Sequence, residues 1–452
     1  MDGVVGMDVD ILLIALAVLV FALLSGRLVG TPLMMPMLFT GAGLLLGEHA
    51  LGIVDVGLDS EAVRVLAEIT LVVVLFTDAS RMHLGTILRQ HTIALRLLVV
   101  GMPLVMLLGG LAGALLYPQL PLVTIALLAV ALAPTDAALG RPFVTNNAVP
   151  KRIRQGLNVE SGINDGLALP FLLVLIDLAH MQAGGFWHYV GLFASMIGLG
   201  ALLGALTGWL GGKMLAWSTR HNWTTETTQR LGILSLAAVA YAAAESIGGN
   251  GFVAAFVAGL AVGTTARSLL KATSTFAETE GQLLTLLTFL LFGAVVAGEI
   301  LSELTWQTAA YAALSLLVIR PLATAAALLG TRLSWSTVAF LGWAGPRGLA
   351  SIVYAVLIVE SGRITGADEI FQVAAWTILF SILLHGLSAA PLSRRYGSYV
   401  GRTLPEDAPE HAEIGEMPMR NHPTVNAPPQ NRRDDDRCGD GTSGRGRPLI
   451  TE

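Results

Sequence analysis

The chain has a single cysteine and few charged residues. Cys438 is the only thiol among 452 residues, so neither a disulfide nor a metal site of several thiolates can form within one chain. Charged residues make up 13% of the sequence, against about 25% in an ordinary soluble domain. Hydrophobic residues make up 54%, and the mean hydropathy is +0.68. This composition excludes an ordinary soluble domain, and we expect a lipid bilayer rather than nucleic acid around the chain.

Long apolar runs divide the chain into transmembrane segments. About 20 apolar residues are needed to cross the hydrocarbon core, and runs of this kind recur between Ile11 and Leu392. They predict an all-α polytopic membrane protein with 13 transmembrane helices. The predicted spans are residues 9–26, 31–47, 60–80, 93–117, 120–139, 156–178, 189–212, 229–248, 251–264, 282–300, 306–330, 336–359 and 369–392.

Basic residues are concentrated in alternate loops between these spans. Arg152, Arg220 and Arg332 represent the basic loops, whereas the other loops carry mainly acids such as Asp55 and Glu303. The positive-inside rule places the basic loops in the cytoplasm. We therefore predict an integral protein of the cell (inner) membrane, with its N-terminus outside and its C-terminus in the cytoplasm.

The sequence changes character near residue 398. Residues 398–452 hold seven of the 19 prolines and an acidic run at 434–436. Such a segment cannot bury enough apolar surface to fold alone. We predict a transmembrane domain at residues 1–397 and a disordered cytoplasmic tail at 398–452. A regulatory or partner-binding tail is the alternative.

Two of the predicted helices are interrupted by proline. The fifth span contains Pro134 and the twelfth contains Pro346, beside the charged residues Asp136 and Arg347. Proline removes a helical hydrogen bond, and paired interruptions in two halves of a membrane protein indicate a transport site between inverted repeats. The breaks are seven helices apart, which matches helices four to six with eleven to thirteen in opposite orientation. The alternative is a pair of simple proline kinks, which are common in membrane helices.

A polar cluster lies near the start of the sixth span. On a helix, Ser161 and Asp165 are four residues apart and share one face, and Glu160 and Asn164 share the neighbouring face. A charge at membrane depth costs about 2.5–3.5 kcal/mol even on insertion scales, so these residues are expected to serve an ion or proton pathway. One face can present oxygen atoms to an ion, while the other pairs inside the protein.

Glu160 needs a basic partner at this depth. The best-placed arginines are Arg347 and Arg320, and we predict a structural ion pair between Glu160 and Arg347. Removing one member of a buried pair typically costs about 3–5 kcal/mol.

The remaining polar residues form a set of oxygen donors. Asp136, Asp165, Ser161 and Thr135 suit hard cations and not soft transition metals. A desolvated Asp can hold either a proton or a cation, and this competition is sufficient for exchange. Acid is then expected to suppress transport by protonating Asp165. Asp78 either lines the same pathway or is an interfacial acid near the end of the third span.

The motifs at these positions resemble one known family. The segments 134–137, 160–166 and 345–348 are similar to those of the NhaP-type monovalent cation:proton antiporters, which include the eukaryotic sodium/proton exchangers. Weaker matches occur at 75–80, 251–259 and 381–386, and together they cover residues 10 to 395. The family often has Phe-Glu-Gly-Gly where this chain has Phe-Thr-Asp-Ala at 76–79, so a cation-ligand role for Asp78 is the weakest part of the match.

The resemblance implies an architecture and a mechanism. Proteins of this family have about 13 helices, a dimer-forming scaffold and a six-helix core with two crossed, unwound helices. The core is thought to move against the scaffold to alternate access. A homodimer is therefore expected here, with no cofactor.

The resemblance also implies roles for single residues. Asp165 would be the shared cation and proton carrier, with Asp136, Thr135 and Ser161 completing the cation site and Asn164 orienting it. Glu160 and Arg347 would form the buried ion pair of the family. An Asn rather than an Asp before the carrier is associated with electroneutral one-for-one exchange.

These observations predict a secondary transporter and not an enzyme. The leading hypothesis is exchange of Na⁺ or Li⁺ for H⁺ through Asp165. A K⁺/H⁺ antiporter on the same scaffold is the nearest alternative, followed by a Na⁺-coupled symporter of organic anions. An intramembrane aspartyl protease using Asp136 and Asp165 is disfavoured, because no Gly-x-Gly-Asp motif surrounds either residue.

Overall fold

The computed structural model describes most of the predicted membrane domain. It covers residues 34–52 without 49, 61–87 without 83–84, 91–180, 186–266, 281–297, 300, 304–362 and 364–414, with isolated positions at 16, 19 and 23. The first predicted span, 9–26, lies almost wholly outside the described residues.

Among the described residues, thirteen helices have seven or more residues. We number them α1 to α13 in chain order. Their bounds are Met35–Leu46 (α1), Glu61–Arg81 (α2), Thr92–Leu116 (α3), Leu122–Ala131 (α4), Lys151–Ala179 (α5), Phe186–Arg220 (α6), Glu226–Ser246 (α7), Gly251–Thr265 (α8), Gly281–Val296 (α9), Trp306–Ala327 (α10), Trp335–Trp343 (α11), Leu349–Glu360 (α12) and Ala367–Thr403 (α13).

These helices confirm the predicted all-α fold class. Each predicted span from the second to the thirteenth coincides with a helix, and no β-strand occurs among the described residues. The helices α3, α5, α6, α10 and α13 are long and apolar enough to cross a membrane by length and composition. The predicted twelfth span is divided into α11 and α12, because the segment between them is not helical.

Two helices in opposite halves share an unusual widened turn. The helix α3 contains a π-helical segment at Leu97–Gly101, and α10 contains one at Ser315–Ile319. Each segment ends two residues before a proline, Pro103 or Pro321. Because proline has no N–H to donate, a widened turn accommodates both its ring and the carbonyl it leaves unpaired. The shared device supports the predicted match of helices four and eleven.

The side chain of Arg96 joins these two helices. Its Nη1 donates to the carbonyl of Leu329, at 2.6 Å, just beyond the end of α10. The carbonyls at the end of a helix lack intrahelical partners and carry partial negative charge, so a guanidinium satisfies both needs.

Close packing of α6 on α8 depends on small residues. Gly200, Gly204 and Gly208 lie one above another on α6, and a Cβ added at any of them would overlap a carbonyl oxygen of α8 or of the residue that caps it. Glycine at this spacing lets two helix backbones approach closely in a membrane. This glycine stripe therefore serves helix packing.

The last helix runs past the predicted domain boundary. Helix α13 continues to Thr403, beyond residue 397, and is followed by a short 3₁₀ turn at Pro409–His411. Ala408 and Glu410 are buried in this region. The packed part of the chain reaches at least these residues, and the domain boundary at 397 stays a prediction. Residues 415–452 of the predicted tail lie outside the described residues.

Replacing Gly204 by Ala tests the packing of α6 on α8. The new methyl group would meet the carbonyl of Ala254, so the helices must separate, at a cost of about 1–3 kcal/mol. We expect a lower thermal unfolding temperature in detergent. Gly198→Ala is the matched control, because its Cβ would meet no atom within 4 Å and alanine favours the helix. Equal stability of the two variants would contradict this packing.

Candidate functional site

The two broken helices cross where their free ends meet. The main-chain N–H of Asp136 donates to the carbonyl of Pro346, with 2.8 Å between N and O. Both contributing segments are non-helical here, since α4 ends at Ala131 and α12 begins only at Leu349. The interruptions predicted from Pro134 and Pro346 are therefore present in the fold, and they meet as the family resemblance implies.

The carboxylate of Asp136 caps the start of α12. Its Oδ2 accepts a hydrogen bond from the N–H of Leu349 at 2.8 Å, and its Oδ1 accepts from the N–H of Leu139 at 2.7 Å. A helix N-terminus offers unpaired N–H groups and partial positive charge, which a carboxylate satisfies. A Cβ at Gly348 would lie 2.6 Å from the Asp136 carboxylate, so only glycine leaves room for this cap.

Arg347 performs the opposite task at the end of α4. Its side chain is fully buried, and its Nη1 donates to the carbonyls of Ala133 at 2.5 Å and Pro134 at 2.9 Å. These carbonyls follow the end of α4, where a cation is favourable. The main-chain N–H of Arg347 donates to the hydroxyl of Ser381 on α13, at 2.6 Å.

Glu160 pairs with Arg320 and not with Arg347. Oε1 of Glu160 lies 2.6 Å from Nη2 of Arg320, and each side chain is 3% exposed. The prediction that Glu160 pairs with Arg347 was therefore wrong. The physical reason is that the guanidinium of Arg347 is held by the carbonyls beyond α4, whereas Arg320 follows the π-helical turn of α10 and faces α5. Arg320 was the other arginine that the sequence offered.

Asn164 ties α5 to the break that follows α4. Its Nδ2 donates to Oγ1 of Thr135 at 2.6 Å, and both residues are buried. Oδ1 of Asn164 is buried and has no hydrogen-bond partner in the part of the chain that the structure describes. An unsatisfied buried acceptor costs free energy unless another group fills the gap, so this oxygen is available to a donor or a cation.

Three of the predicted site residues line one small cavity. Thr135, Asp136 and Ser161 share it with the apolar neighbours Phe143 and Ala344. The hydroxyl of Ser161 donates to the carbonyl of Leu157 at 3.0 Å, as serines in helices commonly do. The sequence therefore identified a group of oxygen donors that the fold brings together from α5 and the α4 break.

Asp165 lies one helical turn beyond Ser161 and is buried with 8% of its surface exposed. It is not among the residues that line the cavity. Its main-chain carbonyl accepts a hydrogen bond from the hydroxyl of Tyr354, at 2.6 Å, and Tyr354 on α12 is fully buried. Sequence reasoning missed Tyr354, because a tyrosine within an apolar helix gives no signal of its partner.

Asp78 is buried near the end of α2, away from the lining of the cavity. Its neighbours Phe76 and Ala79 pack against Gly259 of α8. The structure thus assembles Thr135, Asp136 and Ser161, with Asn164 attached, and Asp78 is not among the residues that line this cavity.

His385 supports the crossing from α13. Its ring nitrogens contact the carbonyls of Ser381 at 3.1 Å and Trp343 at 3.0 Å, and its ring stacks on Trp343. The second carbonyl belongs to the last residue of α11. His385 is therefore a packed, hydrogen-bonded histidine.

A double-mutant comparison tests the partner of Glu160. Glu160→Gln leaves Arg320 buried without its counter-charge, so we expect a marked fall in unfolding temperature, equivalent to about 3–5 kcal/mol. Adding Arg320→Gln should restore part of that loss, because no lone charge remains. Adding Arg347→Gln instead should lower stability further. Recovery with Arg347→Gln but not with Arg320→Gln would contradict the observed pairing.

Comparisons with known proteins agree with this architecture. The sequence matches the family model of the transmembrane sodium/hydrogen exchangers over residues 12–395. The fold is similar to that of the sodium proton antiporter MjNhaP1 from Methanocaldococcus jannaschii, with a TM-score of 0.71 and 20% identity over 86% of this chain and 100% of that one.

Curated relatives include antiporters for two cations. The K(+)/H(+) antiporter NhaP2 of Shewanella oneidensis is 27% identical over 390 residues, which is 85% of this chain and 65% of the relative. The Na(+)/H(+) antiporter NhaG of Bacillus atrophaeus is 24% identical over 286 residues, which is 60% of this chain and 52% of the relative. The chain thus spans slightly less than two thirds of the length of NhaP2. With the family model matched along nearly its whole membrane domain, the chain belongs to the transmembrane sodium/hydrogen exchanger family.

Proposed function

We propose that this protein is a secondary antiporter that exchanges a monovalent cation for protons across the cell membrane. The observation that carries the proposal is the cavity at the helix crossing, where Thr135, Asp136 and Ser161 present oxygen atoms in an otherwise apolar setting. Oxygen donors suit hard cations, and such groups at membrane depth mark ion pathways. Family membership and the printed activities of the relatives support the same class of function.

In this proposal Asp165 is the shared carrier. It lies on the same face of α5 as Ser161, one turn further along the helix, and Tyr354 restrains its main chain. A buried carboxylate that holds either a proton or a cation couples the two movements without further machinery. Asp136, Thr135 and Ser161 complete the cation site, and Asn164 fixes the geometry through its hydrogen bond to Thr135.

The proposed stoichiometry is one cation for one proton. Asn164 stands where a second carboxylate would otherwise precede Asp165. Both carboxylate oxygens of Asp136 already accept main-chain hydrogen bonds, which gives that residue a fixed structural task. Asp165 then remains as the one exchanging carboxylate among the predicted site residues, and one-for-one exchange is electroneutral.

The transported cation is Na⁺ or Li⁺ in the leading version and K⁺ in the second. The K⁺ version is favoured by the NhaP2 relative at 27% identity, and the Na⁺ version by NhaG at 24%. Alternating access by a moving core and a homodimer follow the family resemblance, and a cytoplasmic C-terminus follows the positive-inside rule.

Cation-driven dissipation of a pH gradient tests this function. In everted membrane vesicles with a respiration-driven gradient, addition of Na⁺, Li⁺ or K⁺ should collapse the gradient for the wild type. Asp165→Asn should abolish the response, because an amide cannot carry the proton. Asp177→Asn is the matched control on the same helix α5 and should retain exchange, since it lies at the far end of that helix.

Each outcome of this experiment supports or excludes one part of the proposed function. A response to Na⁺ or Li⁺ alone supports the leading version, and an equal response to K⁺ supports the second. Full exchange by Asp165→Asn would exclude that residue as carrier. No response of the wild type to any cation would overturn antiport and leave a Na⁺-coupled symporter on the same fold.

A further inference from the structure

A buried acid follows the last helix, in a region whose composition predicts no packing. Glu410 lies in the 3₁₀ turn Pro409–His411 and is only 1% exposed. Carboxylates are rarely this buried unless they are paired or hydrogen-bonded. Its contacts therefore show what this part of the chain does.

Glu410 holds the start of α11. Its Oε1 accepts hydrogen bonds from the N–H of Ser334 and from Oγ1 of Thr337, each at 2.8 Å. Ser334 is the N-cap of α11 and Thr337 lies in its first turn. A carboxylate at this position satisfies the N–H of the N-cap residue and meets the positive end of the helix dipole.

Further contacts make this end of α11 a built structure. Tyr396 on α13 makes two of them. Its hydroxyl lies 2.8 Å from Oγ1 of Thr337, and the Tyr396 ring stacks on Phe340 with 4.1 Å between ring centroids. Burial alone would raise the pKa of Glu410, but the hydrogen bonds from Ser334 and Thr337 outweigh it, and the net pKa is lowered. Glu410 therefore stays ionised at neutral pH, and its stabilising contribution is lost only in acid below its ordinary titration range.

The same turn also contacts the helix that carries Asp165. Nη1 of Arg152, in the first turn of α5, donates to the carbonyl of Pro409 at 2.5 Å. Neighbouring residues of one turn thus contact the first turns of both α5 and α11. Both helices lead to residues that line the candidate cation site: α5 supplies Ser161, and the chain after α11 supplies Ala344.

We propose that the turn Pro409–His411 is a clasp that sets the positions of α5 and α11, with Glu410 as a positioning residue for the cation site. The inference rests on the proposed antiport function. Helix α11 has nine residues, so a shift of its start moves its last residue, Trp343, and the adjacent break. Loss of the clasp therefore changes the geometry of the cavity although Glu410 never touches the cation.

Transport kinetics of Glu410→Ala, measured in the full chain, test the clasp. We expect the apparent KM for the transported cation to rise about three- to tenfold, the range of coupling seen for residues that act at a distance. Glu410→Gln keeps one acceptor oxygen and should lie between Ala and wild type. Glu406→Ala is the matched control, because Glu406 is exposed in the same segment. An unchanged KM in folded Glu410→Ala protein would overturn the proposal.

A second measurement needs no transport. Hydrogen–deuterium exchange of Glu410→Ala should increase in the amides of α11 and of residues 344–348, and stay unchanged in α6. If Glu410→Ala fails to fold, Thr337→Val removes one of the two donors to the acid and takes its place in both measurements. If the wild type transports no cation but hydrogen–deuterium exchange still increases in Glu410→Ala, the proposed function is overturned and the clasp is supported. If the wild type transports cations, and Glu410→Ala changes neither hydrogen–deuterium exchange nor KM, the clasp alone is overturned.

Discussion

Mutual capping by two charged residues holds the crossing of the broken helices together. Asp136, from the break after α4, accepts hydrogen bonds at the start of α12, and Arg347, from the break before α12, donates to the carbonyls beyond α4. Each interrupted helix exposes main-chain groups that the bilayer cannot satisfy. Each break also supplies the charged side chain that caps the helix end at the other break. The rest of the site is arranged around this mutual capping.

The neighbouring helices attach to the crossing by polar contacts. Asn164 bonds to Thr135, Tyr354 bonds to the carbonyl of Asp165, and Ser381 receives the main-chain N–H of Arg347. Each contact joins a different helix to one of the breaks or to the helix that carries Asp165. The proposed cation site would therefore have its oxygen atoms positioned before any ion arrives, which lowers the cost of ordering them on binding.

Local signals explain which features could be predicted from the sequence. The apolar runs, the two prolines and the oxygen-bearing residues beside them are visible in short segments, so the spans, the breaks at Pro134 and Pro346 and the grouping of Thr135 with Ser161 were predictable. The arginine that pairs with a buried acid was not predictable in this way. Glu160 had two candidate arginines, and only the three-dimensional fold brings Arg320 of α10 to it. Glu410 was missed because its burial depends on the loop before α11, far away in the sequence.

The central claim is that the cation site exists only while the two charges hold the crossing. It is tested most directly by the rise in unfolding temperature that saturating cation causes, since a bound ligand stabilises the folded state. Arg347→Met removes the cap from the carbonyls of Ala133 and Pro134 without removing any proposed cation ligand. If the two charges hold the site, saturating cation should raise the unfolding temperature of the wild type and leave that of folded Arg347→Met protein unchanged. An equal rise in both would contradict it.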